Sequence, residues 1–360
     1  MRRCKKCLIP EAVPGISLSL DNVCNLCLDR KTLESEVVQA EESRVRYEAD
    51  FERTLTECRG LGEYDCLVPL SGGKDSIYLL YRLKVERKLK VLAFTVDVNI
   101  PAVAWDNIRR ALAKLNIDHI TYSPSSAFYE KTFRYLLRNQ EERGAVYTIS
   151  YVYAPLFEGD AIKLAMDKGI PLVLAGYSPG QPEPERMLYE FSRQLICETD
   201  WTPPAMKTCD EFSAEDLGRF YNPKNYPSGT QFPRYLAPFH AWSYNQEDIM
   251  RKVVEYGLVA RRKNANPIHS NYPINWLLMY SDLRTFGFNP YAPEFSALIR
   301  NKKANLNYWR MMGPVVDFLI RNGLGPGKEV TRSLNWLGLT ADELRITKPR
   351  GAYDPVPGRM

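Results

Sequence analysis

Two stretches of this 360-residue chain carry residue types that do chemistry, at spacings that chemistry requires. In one, Ser71-Gly72-Gly73-Lys74-Asp75-Ser76 follows an apolar run, Cys66 to Leu70, and precedes Ile77-Tyr78-Leu79-Leu80-Tyr81-Arg82-Leu83. Two glycines remove the side chains that would keep backbone N–H groups away from an anion, and the serines add hydroxyl donors. The start of a helix adds the positive end of its dipole. Lys74 supplies a mobile cation, so the chemistry is that of a phosphate site. It is not the common nucleoside-triphosphate loop of glycine, four residues, then Gly-Lys-Ser/Thr: the first glycine would fall at Val68, and Asp75 stands where the hydroxyl belongs. In the other stretch, Cys4-Lys5-Lys6-Cys7 and Cys24-Asn25-Leu26-Cys27 are two C-x-x-C pairs sixteen residues apart. Four thiolates in a tetrahedral array suit a structural Zn²⁺. Pro10, Pro14, Gly15 and the alternating Ile16-Ser17-Leu18-Ser19-Leu20 fit the hairpin of a zinc ribbon. A redox pair or an iron–sulfur site are other uses of this spacing, but so short a segment has no core without a metal.

Composition bounds what these sites can serve. With 45% hydrophobic and 25% charged residues, the chain can bury one large core or two moderate ones. A net charge of +5 with both signs interspersed suits an enzyme for anionic ligands, and nucleic acid is not the expected partner. No run of eighteen apolar residues exists, so no membrane partner is expected. Met1-Arg2-Arg3-Cys4-Lys5-Lys6 is followed by no apolar signal segment, which makes the cytoplasm the expected location. Eight cysteines in such a context argue against a disulfide framework.

The elements that must position these residues can be read from periodicity. After a ribbon over residues 1–30, Leu33, Val37, Ala40, Tyr47, Phe51, Leu55 and Cys58 recur at helical spacing and predict a linker helix over 31–60. Residues 61–200 alternate strand and helix. Strands are expected at 66–70, 90–97, 118–123 and 170–176, and helices at 103–115, 129–138 and 153–166. Such alternation implies an α/β fold: a twisted parallel sheet with helices on both faces and ligands at the carboxyl ends of the strands, where Ser71, Asp97 and Gly176 all fall. From Trp201 onward, aromatic- and proline-rich text gives way to helices at 245–256, 274–286 and 308–322, so 201–360 is read as a mainly helical region for substrate binding or oligomerisation. Gly323 to Lys328 follows a helix and is read as a helix end, and Thr340 as an N-cap.

The six-residue loop resembles the Ser-Gly-Gly-x-Asp-Ser loop of the PP-loop ATP pyrophosphatases, whose fold is the adenine nucleotide alpha hydrolase type. Enzymes of that superfamily split ATP between the α- and β-phosphates, adenylate a substrate oxygen, and let nitrogen or sulfur displace AMP. The resemblance implies ATP and Mg²⁺ as ligands, with Ser71, Gly72, Gly73, Lys74, Asp75 and Ser76 around the phosphates. Lys74, Asp75 and Ser76 are then the catalytic set, Asp75 holding Mg²⁺ or orienting the loop. Asp97 would meet adenine or ribose, or simply cap its strand, and Gly176 opens a second ligand-facing loop. That loop, through Gln181, Glu183 and Arg186, has a sequence of its own, and those three residues are candidates for a polar substrate or Mg²⁺.

Cys4-x-x-Cys7-x-x-Pro10, Pro14-Gly15-Ile16, Cys24-x-x-Cys27, a helix and Tyr64 to Ser71 together resemble the N-acetyl sugar amidotransferases of bacterial surface-glycan and lipopolysaccharide biosynthesis. Those enzymes convert an N-acetyl group of a nucleotide sugar to an acetamidino group. The resemblance covers roughly the first half of the chain, leaving the run from Phe286 to Arg300 as a feature of this branch. It implies a small-molecule acceptor and a separate glutaminase as ammonia source, because three histidines and no Gly-x-Cys-x-Gly elbow leave the chain without one. A second copy of the chain is a further candidate partner. The two-thiouridine type of tRNA sulfurtransferase also pairs a ribbon with this loop. It needs further cysteines, for which Cys197 and Cys209 are the candidates, while Cys58 and Cys66 fall in a helix and a strand. His269, beside Ser270 and Asn271, is a candidate base. A third reading is a non-catalytic ribbon that docks RNA or protein.

The ribbon reading predicts one tightly held zinc per chain, found by elemental analysis of protein purified without oxygen. Iron with a visible charge-transfer band would instead favour sulfur transfer.

Overall fold

The computed structural model describes residues 1–179, 189–266 and 272–354, with the backbone alone over 30–37. The candidates Gln181, Glu183, Arg186 and His269 lie outside the described residues. Seven strands are present among the described residues: β1 (Cys66–Pro69), β2 (Val91–Val96), β3 (Asp118–Tyr122), β4 (Gln140–Glu141), β5 (Leu172–Leu174), β6 (Arg234–Leu236) and β7 (Ile346–Lys348). Five of them form one parallel sheet in the order β3-β2-β1-β5-β6, and β4 pairs with β7 separately. The architecture is α/β, with an N-terminal four-cysteine cluster and a helical C-terminal region. β6 comes from the helical half of the chain. It is three residues long and runs into Pro238, too short to leave an alternating pattern in the sequence.

Period-two burial builds the sheet. Cys66, Val68, Leu70, Val91, Ala93, Leu172 and Leu174 face one layer; there they meet Phe51 and Leu55 of the helix Arg30–Cys58 and the helices Lys74–Tyr81, Ala102–Leu115 and Gln246–Glu255. Leu67, Leu92, Phe94, Val96 and Val173 face the other, against Ala161, Ile162 and Ala165 of the helix Ala145–Asp167 and the rings of Phe191, Trp201, Tyr221 and Tyr235. Strands buried on both faces in this way are what the continuous apolar runs in the sequence encode. A further core joins Ser126–Arg138, Ile274–Phe286, Leu306–Arg321 and Lys328–Leu337. Thr340 does cap a short turn, in a capping box with Glu343.

The ribbon leans on this helical region. Cys4, Cys7, Cys24 and Cys27 share an apolar cluster with Ile299, and Leu306 and Trp309 pack against it. Arg3 pairs with Asp317 at 3.1 Å, and Arg310 donates to the carbonyl of Lys5 at 3.1 Å.

The helix Ala145–Asp167 lends several residues to the site described below, and its start is fixed from outside the helix. Gly144 has φ +99, and Asp282 accepts from the backbone N–H groups of Ala145 and Val146 at 2.5 and 3.0 Å. These are two of the orphan donors of a helix N-terminus. A Cβ on Gly144 would lie 2.5 Å from Asp282 Oδ1. Gly144→Ala is therefore expected to cost about 2 kcal/mol, from the unfavourable φ and the displaced cap. A fall in the urea midpoint with unchanged slope would show it.

Candidate active site

The strand order reverses between β1 and β5, and in an open parallel sheet the crevice outside the carboxyl ends at that point is where ligands bind. The loop Ser71–Gly73 leaves β1 at this point and turns directly into the helix Lys74–Tyr81. Gly72 has φ +78, and a Cβ there would lie 2.5 Å from the Ala104 carbonyl oxygen, so conformation and space both demand glycine. Buried Asn107 donates to the carbonyls of Gly72 and Asn264, at 3.1 and 2.9 Å, and fixes the loop from below. On the facing strand end, a Cβ on Gly176 would come within 2.9 Å of Ser76 N and Cα. Backbones of the two strand-end segments thus approach as closely as they can.

Within the loop, Ser71 Oγ and Ser76 Oγ lie 3.2 Å apart, and Ser76 Oγ donates to the Gly73 carbonyl at 3.1 Å. Lys74, 6% exposed, donates to Asp75 Oδ2 at 2.5 Å, and Tyr244 OH donates to Asp75 Oδ1 at 3.1 Å. Burial, with Asp75 beside it, holds the Tyr244 phenol far above its ordinary range, so it stays a donor. Asp97, at the end of β2, accepts from Ile100 N at 3.3 Å and so caps its strand end; it lines neither of the cavities at this site.

Two cavities meet at the loop. A pocket of about 190 Å³ lies between the ends of β1, β2 and β5, bounded by Leu70, Phe94, Val96, Gly176 and Tyr272, a largely apolar lining that would accept a base. A cavity of about 1410 Å³ extends from Ser71, Lys74 and Asp75 toward the ribbon, where Arg3 and Leu8 form part of its wall. Tyr153, Phe157 and Glu158 of the helix Ala145–Asp167 line it, as do Tyr177, Ser178 and Tyr244. Tyr177 OH donates to Glu158 at 2.6 Å.

Three titratable residues of this cavity have no role that sequence reasoning assigns. His240, partly buried, is pushed down to about 4 by that burial, with Lys303 adding to the effect. Glu158 is buried within a helix whose apolar pattern gave no sign of it. Glu294, on the helix Ala292–Arg300, is pushed up to about 8 by burial; Lys74 opposes that rise and Asp75 adds to it. The only trace of Glu294 in the sequence is its place in the branch-specific run from Phe286 to Arg300.

Cys197 and Cys209 are not brought here. Cys197 packs against the core beneath the sheet and Cys209 against the helical core, near Tyr135 and Tyr353. All eight cysteines are described, and none lines either cavity. The ribbon cysteines have sulfurs all within 4.8 Å of one another, with Cys7 and Cys24 at 3.6 Å. A tetrahedron with Zn–S arms of 2.3 Å has edges of roughly 3.8 Å. A cubane iron–sulfur cluster holds its cysteine sulfurs much further apart. Backbone N–H groups of Lys6 and Cys24 donate to Cys4 Sγ at 3.4 and 3.3 Å, stabilising a thiolate there. These residues fit a single tetrahedral ion.

No protein-family model and no curated protein matches this sequence. Among solved structures, it is similar to the U34-tRNA thiolase NcsA from Methanococcus maripaludis with its [4Fe-4S] cluster, at 12% identity over 94% of this chain and 89% of that one, TM-score 0.34. It is also similar to NMN synthetase from Francisella tularensis, at 12% identity over 85% and 97%, TM-score 0.33. NH3-dependent NAD synthetase from Campylobacter jejuni subsp. jejuni matches at 13% identity over 83% and 96%, TM-score 0.35. These likenesses are loose, and the site stands on this chain's own sheet and loop.

The folded-state rise of Glu294, from an ordinary 4.5 to about 8, sets a pH dependence. The folded chain keeps a proton on this group across that interval while the unfolded chain releases it. The stability contribution is thus complete below the lower value and is lost as pH rises through the upper one. In thermal melts, Glu294→Gln should gain stability relative to wild type as pH rises from 5 to 8, with no further gain above. A difference that does not change with pH would refute this.

Proposed function

We propose that the chain is a PP-loop ATP pyrophosphatase that adenylates an amide or carbonyl oxygen of a small-molecule acceptor, releasing pyrophosphate, after which a nitrogen nucleophile displaces AMP. The observation that carries this reading is the placement of Ser71 to Ser76 at the strand-order reversal, between a largely apolar pocket and a large cavity. ATP laid with its base in the pocket brings its phosphates over the N-terminus of the helix Lys74–Tyr81, and the acceptor approaches from the large cavity.

In this arrangement the acceptor oxygen attacks the α-phosphorus and the bond to the β-phosphate bridging oxygen breaks. Charge develops on the departing pyrophosphate. The N–H groups of Gly72 and Gly73, the hydroxyls of Ser71 and Ser76 and the Lys74 ammonium are preorganised donors for it. Lys74 must leave Asp75 to reach a phosphate, which frees Asp75 Oδ2. Asp75 would hold Mg²⁺, an ion that neutralises charge on the phosphates.

The nucleophile is argued from the cysteines. A thiolate that attacks an adenylated centre must be ionised and must stand in the cavity. Burial pushes Cys58, Cys66 and Cys197 up, and no cysteine lines either cavity. This supports ammonia, supplied by a separate glutaminase. With the sequence resemblance of the first half, it supports an N-acetyl sugar nucleotide as acceptor and an amidine as product.

Lys74→Ala should lower ATP-dependent turnover by ~10²-fold or more, the scale of losing one transition-state donor, with the melting temperature little changed. Products should be AMP and pyrophosphate; ADP and phosphate would overturn the class. A Cys197→Ser, Cys209→Ser double variant should keep full activity on sugar nucleotides. Its inactivation with the fold intact would move the reading to sulfur transfer.

A further inference from the structure

The helix Ala292–Arg300 touches the cysteine motif and lines the cavity that the phosphate loop opens into. Its first turn carries Glu294, whose carboxyl lies within the electrostatic reach of Lys74 and Asp75 and faces the same cavity. Its last residue, Arg300, donates to Cys7 Sγ at 3.6 Å, and Ile299 shares the apolar cluster of the four cysteines.

The ribbon grips the other end too. Arg3 Nη2 donates to Asp317 Oδ2 at 3.1 Å, Asn289 Nδ2 to Asp317 Oδ1 at 3.0 Å, and the Tyr291 N–H to Asn289 Oδ1 at 3.0 Å. That chain of contacts ends at the residue just before the helix. Arg3 precedes Cys4 and Leu8 follows Cys7, so both are placed by the knuckle that the thiolates hold. Leu8 sits at φ +68, an uncommon conformation for leucine, maintained by bonds from Leu8 N to Cys4 O and from Cys4 N to Ile9 O, each 2.9 Å. Arg3 and Leu8 also line the large cavity.

We propose that the metal-bound ribbon is a wall of the reaction cavity that holds the Ala292–Arg300 helix in place in the cavity it shares with the phosphate loop, so that metal binding and ATP binding are coupled through this helix. Arg3, Asp317, Asn289 and Arg300 are its positioning residues. Without the ion, four buried thiols have no common centre, the knuckle that places Arg3 and Cys7 loosens, and both grips on the helix relax together. Coupling between two ligands is reciprocal, so ATP must hold the metal as firmly as the metal favours ATP. The coupling extends the nucleotide reading above and depends on it only through the ATP measurement.

The test uses the full chain with zinc bound. Hydrogen exchange of the amides of residues 292–300 should quicken about tenfold on zinc extraction while β1 and β2 stay protected. An Arg3→Ala, Arg300→Ala double variant keeps all four cysteines and should show the same quickening with zinc still bound. ATP should slow transfer of zinc to a chromogenic chelator by about fivefold or more in wild type, the lower range of such couplings, and should do so less in the double variant. Unchanged exchange at 292–300 in the zinc-loaded double variant overturns the proposal, even if the zinc-free chain unfolds as a whole. ATP binding in calorimetry with zinc transfer unaffected overturns the coupling alone, whereas no ATP binding at all overturns the nucleotide reading.

Discussion

A buried ammonium at the first position of a helix is an expensive placement, and the Lys74–Asp75 pair is the interaction around which the site is arranged. Lys74 is 6% exposed and stands at the positive end of the helix dipole, where a cation is disfavoured. Burying two charges costs several kcal/mol per ion in real proteins, recovered only where the geometry is good and further bonds are made. Here the pair is one residue apart, and Tyr244 completes the coordination of Asp75. Nothing about folding requires the lysine there. A cation held in an unfavourable field, with backbone donors beside it, has its free energy lowered by a polyphosphate more than an ordinary surface lysine would.

The neighbouring features follow from keeping that spot tight. Gly72 lets the loop pass against Ala104, Gly176 lets β5 end against Ser76, and Asn107 ties the loop carbonyl to that of Asn264. Each is a backbone-to-backbone or backbone-to-amide constraint, so the backbone donors of the loop are held by the scaffold. Glu294 then adds a group that is most comfortable neutral, beside a pair that is charged.

Local physics made the loop, the four main strands and the cysteine knuckles legible in the sequence. Two-sided burial writes continuous apolar runs such as Cys66 to Leu70, and a metal knuckle needs its ligands two residues apart. The large cavity was not legible, for an equally physical reason. Its walls are Tyr153 and Glu158 from one helix, Tyr244 from a loop, Glu294 from another helix and Arg3 from the ribbon, residues hundreds of positions apart with no shared spacing. β6 escaped notice because a three-residue edge strand between prolines has no period to detect. Asp97 was open to two readings in the sequence, and its bond to Ile100 N shows how a strand-end carboxylate can be occupied by local capping.

The ribbon makes the limits of local reading clearest. The motif announces a metal but not what the metal is for. Within residues 1–29 the buried apolar side chains are the four cysteines, Ile9 and Pro10, too few to hold a fold, so an ion held by the thiolates would replace a core. A unit of that kind has little interior and most of its surface is available for contact. In this chain that surface is spent on Ile299, Leu306, Trp309, Arg310 and Asp317, all in the helical region. With an ion bound that wall would be stiff for its size, and its residues Arg3 and Leu8 line the same 1410 Å³ cavity as the phosphate loop. A reaction that forms an adenylate needs both sides fixed, because water reaching the activated carbon competes with the intended nucleophile. The two motifs that stand furthest apart in chemistry therefore line one cavity.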